Sequence, residues 1–154
     1  LEGFDIDIIK AIAKAENFNI KLVNTPWEGI FATLGSGDRD IIISGITITD
    51  KRKQMVDFSA PYFPAEQSIV VPADSKVTSL AALKSEKVGV VNSSTGDIVV
   101  SEVLGKNSTA IKRFDNTPLM LQELFEDGVS AAVSSARTAS RSSPPQGWSR
   151  SCGR

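Results

Sequence analysis

The sequence predicts an α/β layered fold, and three observations support this class. Short apolar runs alternate along the chain with segments whose apolar residues recur at helical spacing. One run, residues 40–44, contains three consecutive isoleucines, as in a strand buried on both faces of a parallel sheet. The alternation restarts after residue 75, which indicates two similar α/β units, residues 1–70 and 75–133, joined by an extended crossing.

The first unit opens with a predicted helix. Asp5 suits the N-cap position, and apolar residues follow at helical spacing to about Asn17. A short strand is predicted over residues 20–23. The next helix is predicted to start at Pro26 and to stop at Gly35, because glycine ends helices.

A polar segment, residues 49–55, follows the isoleucine run and predicts one short helical turn. An extended connector then leads to a predicted strand over residues 68–71. The elements predicted for the second unit are a short helix over 80–84, a strand over 87–91, a helix from the polar loop at 92–96 to about 104, a strand over 110–114, a helix from Thr117 and Pro118 to about 127, and a strand over 129–133.

Composition and charge narrow the possible functions. The 154 residues have a net charge of −1, but residues 1–133 carry −5 and residues 134–154 carry +4. An acidic body disfavours nucleic-acid binding, and the absence of His excludes imidazole catalysis and His metal ligands. The single Cys152 cannot form an intrachain disulfide. We find no P-loop, nucleophile elbow or metal cluster, and we predict no catalytic residue, no metal site and no cofactor.

Residues 134–154 break the α/β pattern. Seven of them are Ser and four are Arg, a composition that cannot bury a core and predicts disorder. The change is abrupt, and we hypothesise a truncated fragment whose last residues are read in a shifted frame. A genuine disordered basic extension is the alternative. An intact reading frame through Arg154 in independent isolates would contradict the frame-shift hypothesis.

The residues after the isoleucine run are the first candidate ligand site. Ser44, Gly45 and Thr47 follow at the carboxyl end of the predicted strand, where ligands of open α/β sheets collect. Arg52 can bind a carboxylate through two parallel hydrogen bonds. The alternative is a Thr-capped helical turn with a solvated basic face.

Two further places could bind a ligand. Ser94 and Thr95 open a predicted helix, where hydroxyls and free backbone N–H groups attract anions, although an ordinary N-cap has the same residues. Trp27 could stack on a ligand or could fill the core at a helix start.

Taken together, these segments resemble the family 3 bacterial extracellular solute-binding proteins, the polar-amino-acid receptors of ABC importers. The resemblance covers roughly residues 1–133. The motifs that carry it are Gly3–Asp7, Pro26–Gly29, Asp40–Thr49 with Arg52, Val56–Tyr62, Lys87–Val90 with Thr95 and Gly96, and Phe114–Thr117.

The resemblance implies a two-lobed, hinged fold of the periplasmic-binding-protein type II class, incomplete at both ends. Lobe I would span residues 1–66, a partial lobe II residues 67–133, and the basic tail residues 134–154. It implies a monomeric binding protein without enzyme activity or cofactor, which delivers a polar or basic amino acid to a membrane ABC permease and binds no nucleic acid. Its location would be periplasmic, or extracellular and membrane-anchored, with the signal sequence not among these residues.

The resemblance also implies roles for single residues. Arg52 would pair with the α-carboxylate of the ligand, which the Thr95 hydroxyl and nearby backbone N–H groups would also bind. The Gly45 carbonyl and the Thr47 hydroxyl would hold the α-ammonium, and Trp27 would stack on the ligand side chain. The implied ligand-binding set is Trp27, Ser44, Gly45, Thr47, Arg52, Ser94 and Thr95.

The sequence departs from the family pattern at both ends. The strand and aromatic loop that the family has before Gly3 are missing. In the family, an Asp pairs with the ligand ammonium, and Ser135 occupies the corresponding position here. The tail takes the place of the family's second hinge crossing. A sensor-kinase or ionotropic-receptor ligand domain remains an alternative, as does an enzyme of the cyclohexadienyl or arogenate dehydratase type, although no proton donor for the latter is evident.

Overall fold

The computed structural model describes residues 1–135 and 148–151, with side chains in the first range only. The chain divides into two compact units, residues 1–64 (unit 1) and residues 65–154 (unit 2). This division lies close to the predicted lobe boundary after residue 66, and the assignment of the residues to lobes stays a prediction.

Unit 1 contains three helices, α1 (Phe4–Ala15), α2 (Ile30–Gly35) and α3 (Asp50–Lys53). The N-cap of α1 is Gly3, whose carbonyl accepts the Asp7 N–H at 2.8 Å. The predicted capping role of Asp5 is therefore wrong, since Asp5 lies within the first turn. The helix predicted from Pro26 begins only at Ile30, because Gly29 has a left-handed backbone with φ +77°.

The two strands predicted for unit 1 do not form. Residues 20–23 and 40–44 are extended or irregular, and no strand occurs among residues 1–64, all of which are described. Ile41 is 60% exposed, so the prediction of a strand buried on both faces is wrong. The physical reason is pairing: a strand forms only where a neighbour accepts its backbone hydrogen bonds, and unit 1 supplies none.

Unit 2 is built on one sheet, with strand order β3-β2-β4-β1-β5 among the described residues. β2 is parallel to β3 and β4, and β1 is antiparallel to β4 and β5. The strands are β1 (Gln67–Pro72), β2 (Val88–Val91), β3 (Ile111–Phe114), β4 (Ala131–Ser135) and β5 (Trp148–Ser151). β1 to β4 confirm the strands predicted from the sequence.

The helices of unit 2 also confirm the prediction. They are a 3₁₀ helix (Leu80–Ser85), α4 (Thr95–Leu104) and α5 (Thr117–Phe125). Side-chain caps fix the starts of both α helices: Ser94 accepts the Asp97 N–H, and Asn116 accepts the Leu119 N–H. The core of unit 2 lies between the sheet and these helices and contains Ile69, Val71, Val77, Leu83, Val88, Val90, Val100, Ile111, Ala131 and Val133.

Six residues of the segment 134–154, which the sequence predicts to be disordered, form strands in the structure. Ser134 and Ser135 extend β4, and Trp148–Ser151 pair with β1 as β5. Disorder is therefore the wrong description of these six residues, because a sheet edge pairs through its backbone whatever the side chains are. Residues 136–147 and 152–154, including Cys152, lie outside the described residues. Each helix among the described residues is too short or too polar to span a lipid bilayer.

Candidate functional site

Arg52 is the centre of the candidate site in unit 1. It lies in α3 and is only 6% exposed. Thr49 caps α3, and its Oγ1 accepts the Arg52 N–H at 3.2 Å. The guanidinium Nη1 donates to the Thr47 carbonyl at 2.9 Å. These bonds, one to the backbone of Arg52 and one to its side chain, fix where the guanidinium sits.

Two aromatic rings complete the setting of this guanidinium. Its carbon lies 5.3 Å from the Trp27 ring centroid and 5.5 Å from that of Phe31. The rings meet edge to face, with centroids 6.1 Å apart. Aromatic faces attract cations, so the rings hold Arg52 without neutralising it.

The Arg52 charge has no acidic partner among the described residues: no carboxylate lies within salt-bridge distance. Burial lowers the pKa of the guanidinium below its ordinary value, because desolvation disfavours the charged form. Arginine nevertheless remains protonated at neutral pH. A buried, fixed and uncompensated cation is suited to binding an anion with the geometry of a carboxylate.

Not every residue predicted for this site joins that group. Trp27, Thr47 and Arg52 lie together, and Thr47 contributes its carbonyl to Arg52. Ser44 and Gly45 are exposed. Gly45 has φ +59°, and a Cβ built on it would lie 3.8 Å from the Asp5 carboxylate, so it is next to the start of α1.

The predicted residues of unit 2, Ser94 and Thr95, lie at the start of α4. The Ser94 hydroxyl accepts the Asp97 N–H at 3.2 Å, which makes Ser94 a working N-cap. The Thr95 hydroxyl accepts from the Gln67 side-chain amide at 3.0 Å. Both residues follow the carboxyl end of β2, the edge where parallel strands present ligand sites.

Asp97 fixes the loop that leads into α4. It is 8% exposed, accepts the Ser93 N–H at 3.1 Å and the Ser101 hydroxyl at 3.0 Å, and forms a 2.9 Å ion pair with Arg113. Burial would raise the pKa of Asp97, but the hydrogen bonds from Arg113, Ser93 and Ser101, with the Arg113 charge, outweigh burial and lower it. Ser93, with φ +58°, is thereby held in a left-handed conformation.

Two residues of these sites lie outside the set predicted from the sequence. Phe31 follows Trp27 by four positions, a spacing that a helix would place on one face and that core residues share. Gln67 is separated by Ser68 from the buried apolar run that begins at Ile69, and a polar residue there gives no recognisable signal. Only the structure shows its contact with Thr95.

The comparisons with known proteins concern the family and the fold of this chain. The model of the bacterial extracellular solute-binding proteins, family 3, matches residues 1–138. A probable histidine-binding protein of Neisseria gonorrhoeae is 49% identical over 135 residues, which are 87% of this chain and 50% of that protein. The arginine-binding extracellular protein ArtP of Bacillus subtilis is 31% identical over 131 residues, which are 85% of this chain and 51% of that protein.

Solved structures of amino-acid-binding proteins are also similar to this chain. An ancestral arginine-binding protein bound to arginine superposes with a TM-score of 0.90 at 39% identity, over 97% of this chain and 68% of that chain. The arginine-, lysine-, histidine-binding protein ArtJ from Geobacillus stearothermophilus gives 0.86 at 36% identity, over 96% and 69%. These likenesses confirm the predicted α/β fold class. The chain spans about half the length of the curated relatives it matches.

Proposed function

We propose that this chain, which belongs to the bacterial extracellular solute-binding proteins of family 3, binds a polar or basic amino acid for delivery to an ABC importer. The buried Arg52 guanidinium is the observation that carries the proposal. It is held by the Thr47 carbonyl and two aromatic rings, and no acidic side chain among the described residues neutralises it. An α-carboxylate is a suitable partner for this guanidinium, because it is negatively charged and planar and can accept two parallel hydrogen bonds.

The other residues are proposed to divide the remaining contacts. The Thr95 hydroxyl and the backbone N–H groups near Ser94 would add donors for the carboxylate, since both lie at the N-terminal end of α4. The Gly45 carbonyl and the Thr47 hydroxyl would accept from the α-ammonium, with Ser44 nearby. Trp27, whose ring already lies against Arg52, would also contact the ligand side chain.

The ligand class follows from the relatives and the charge. Relatives carry names that state histidine, arginine or glutamine binding. The charge of −5 on residues 1–133 favours the approach of cations through long-range attraction. We therefore propose a polar or basic L-amino acid, with no chemical step.

The remaining parts of the proposal concern location and partners. The family is extracellular by its description, and we propose a periplasmic location or a membrane-anchored extracellular one. The partner would be a membrane ABC permease, and the protein would act as a monomer that binds no nucleic acid.

A screen of the twenty L-amino acids tests the proposal. Thermal-shift measurements on the chain select candidates, and isothermal titration calorimetry measures their affinity. We expect arginine, histidine or glutamine to bind most tightly. Agmatine and histamine, which lack the α-carboxylate, should bind at least about tenfold more weakly than their parent amino acids, because they offer Arg52 no anion. Equal binding of amine and amino acid, or binding of no amino acid, would overturn the proposal.

A further inference from the structure

We infer that Gln67 is a positioning residue for ligand binding, whose side-chain amide keeps the Thr95 hydroxyl available as a donor. The inference rests on the proposed function, in which Thr95 binds the α-carboxylate. It concerns a residue outside the set that the sequence predicted.

A hydrogen bond joins the two side chains. The Gln67 Nε2 donates to the Thr95 Oγ1 at 3.0 Å. A hydroxyl has one proton to donate and two lone pairs that accept. Because the Thr95 oxygen is already accepting, its proton must point elsewhere, and no oxygen among the described residues receives it. The hydroxyl is thus directed as a donor for an incoming acceptor.

Both ends of this hydrogen bond belong to regular secondary structure. Gln67 is the first residue of β1 and is paired in register with Ser135 of β4. Thr95 is the first residue of α4, whose next residue, Gly96, approaches β4 so closely that a Cβ there would lie 2.6 Å from the Val133 carbonyl. The hydrogen bond therefore joins a residue of the sheet to the first residue of a helix packed on that sheet.

Gln67 is poorly suited to a purely structural role. Its Oε1 is buried and has no hydrogen-bond partner among the described residues. An unpaired buried acceptor opposes folding, and an apolar side chain of the same shape would avoid that penalty. The benefit of the amide must therefore come from its nitrogen, which acts on Thr95.

A Gln67→Leu variant should change stability and affinity in opposite directions. Leucine keeps much of the volume and removes the unpaired oxygen, so the thermal unfolding temperature should equal or exceed that of the unsubstituted chain. The affinity for the tightest-binding amino acid should fall about tenfold, because the Thr95 hydroxyl loses the bond that directs its proton.

A double-substitution cycle on the full chain tests the link to Thr95. L-arginine or L-histidine, whichever binds the unsubstituted chain more tightly, is titrated into Gln67→Leu, Thr95→Val and the double variant. We expect the double variant to bind within about twofold of Thr95→Val, because the amide has nothing left to orient. Gln122→Leu is the matched control, since Gln122 lies exposed on α5, bonds Glu126, and should leave affinity unchanged.

A Gln67→Glu variant adds an electrostatic test. Glutamate has the shape of glutamine, but its carboxylate only accepts, so the Thr95 hydroxyl would donate to it and an added negative charge would face the ligand carboxylate. Affinity should fall further than in Gln67→Leu, and an affinity equal to or higher than that of Gln67→Leu would contradict the inference.

The outcomes separate the inference from the function. If the unsubstituted chain binds an amino acid but Gln67→Leu binds it equally well, the inference is wrong and the proposed function stands. Additive losses in the double variant would also overturn the inference. If the unsubstituted chain binds no amino acid, the proposed function fails and the inference fails with it.

Discussion

The guanidinium carbon of Arg52 lies 5.3 Å from the ring centroid of Trp27. Phe31 lies at 5.5 Å from the same carbon, and the Thr47 carbonyl accepts one of the guanidinium N–H groups. A neighbouring carboxylate would hold an arginine more strongly but would also neutralise it. The two rings and the carbonyl hold the guanidinium in place but carry no net negative charge, so its positive charge can still attract an anionic ligand.

Replacing Arg52 should remove most amino-acid binding. We expect Arg52→Ala to lose about 2–3 kcal/mol of binding free energy, the scale of a hydrogen bond to a charged group. Arg52→Lys should lose part of that, because an ammonium keeps the charge but not the planar fork. Calorimetric titration measures both, with the exposed neighbour Lys51→Ala as control. Unchanged affinity in Arg52→Ala would show that the carboxylate binds elsewhere.

Removing the Phe31 ring should weaken binding through Arg52. Phe31→Leu keeps an apolar side chain but loses the ring face, and we expect affinity to fall by about 0.5–1 kcal/mol. In an Arg52→Ala background the same substitution should have almost no effect, since the ring has no cation to hold. Titration of the four variants of this cycle measures the coupling. Equal losses in both backgrounds would mean that Phe31 acts independently of Arg52.

The predictability of the fold differs between the two units for a physical reason. In unit 2, strands such as β2 find partners among the described strands on both sides, so the local pattern and the pairing agree. In unit 1, residues 40–44 have the composition of a buried strand, but no strand in residues 1–64 pairs with them. A strand needs a neighbour for its backbone hydrogen bonds, whereas a helix such as α1 forms them within itself.

The candidate site shows the same division. Arg52 and Thr95 lie in sequence motifs that resemble those of the family, and this resemblance marks them as candidate ligand residues. Gln67 lies 28 residues from Thr95, and the bond between them depends on β1 and α4 being brought together. Such long-range contacts carry no local pattern. Residue types and the family resemblance can therefore indicate Arg52 as a candidate ligand residue, but neither indicates Gln67.

Asp97 should make unit 2 sensitive to acid. Asp97→Asn should reduce the free energy of unfolding by about 1.5–3 kcal/mol at neutral pH, because the charged hydrogen bonds with Arg113 and Ser93 weaken. The folded-state pKa of Asp97 is lowered, so its contribution is complete above the unfolded value of about 4 and is lost as pH falls through the folded value. The stability difference between the two proteins should shrink accordingly.

Urea unfolding of both proteins from pH 7 down to about pH 2 measures that difference. Glu102→Gln is the control, because Glu102 lies on the exposed side of the same helix. A difference that stays constant with pH would contradict the assigned charge state of Asp97.

Gly96 should tolerate no side chain, because α4 lies against β4 at this point. A Cβ at Gly96 would lie 2.6 Å from the Val133 carbonyl oxygen and 3.4 Å from the Gln67 Oε1. The nearer atom is sheet backbone, which cannot turn aside, so the start of α4 must move away. We expect Gly96→Ala to destabilise unit 2 by about 1–3 kcal/mol, the range for overpacking, and to weaken binding by displacing Thr95.

Gly35→Ala is the matched control, since a Cβ there meets nothing within 4 Å, and it should be neutral or stabilise by up to about 1 kcal/mol. Amide hydrogen exchange in β2 and β4 measures the effect. Equal protection in Gly96→Ala and the unsubstituted chain would show that the helix start has room to adjust, and the close approach of α4 to β4 would then not be what fixes Thr95.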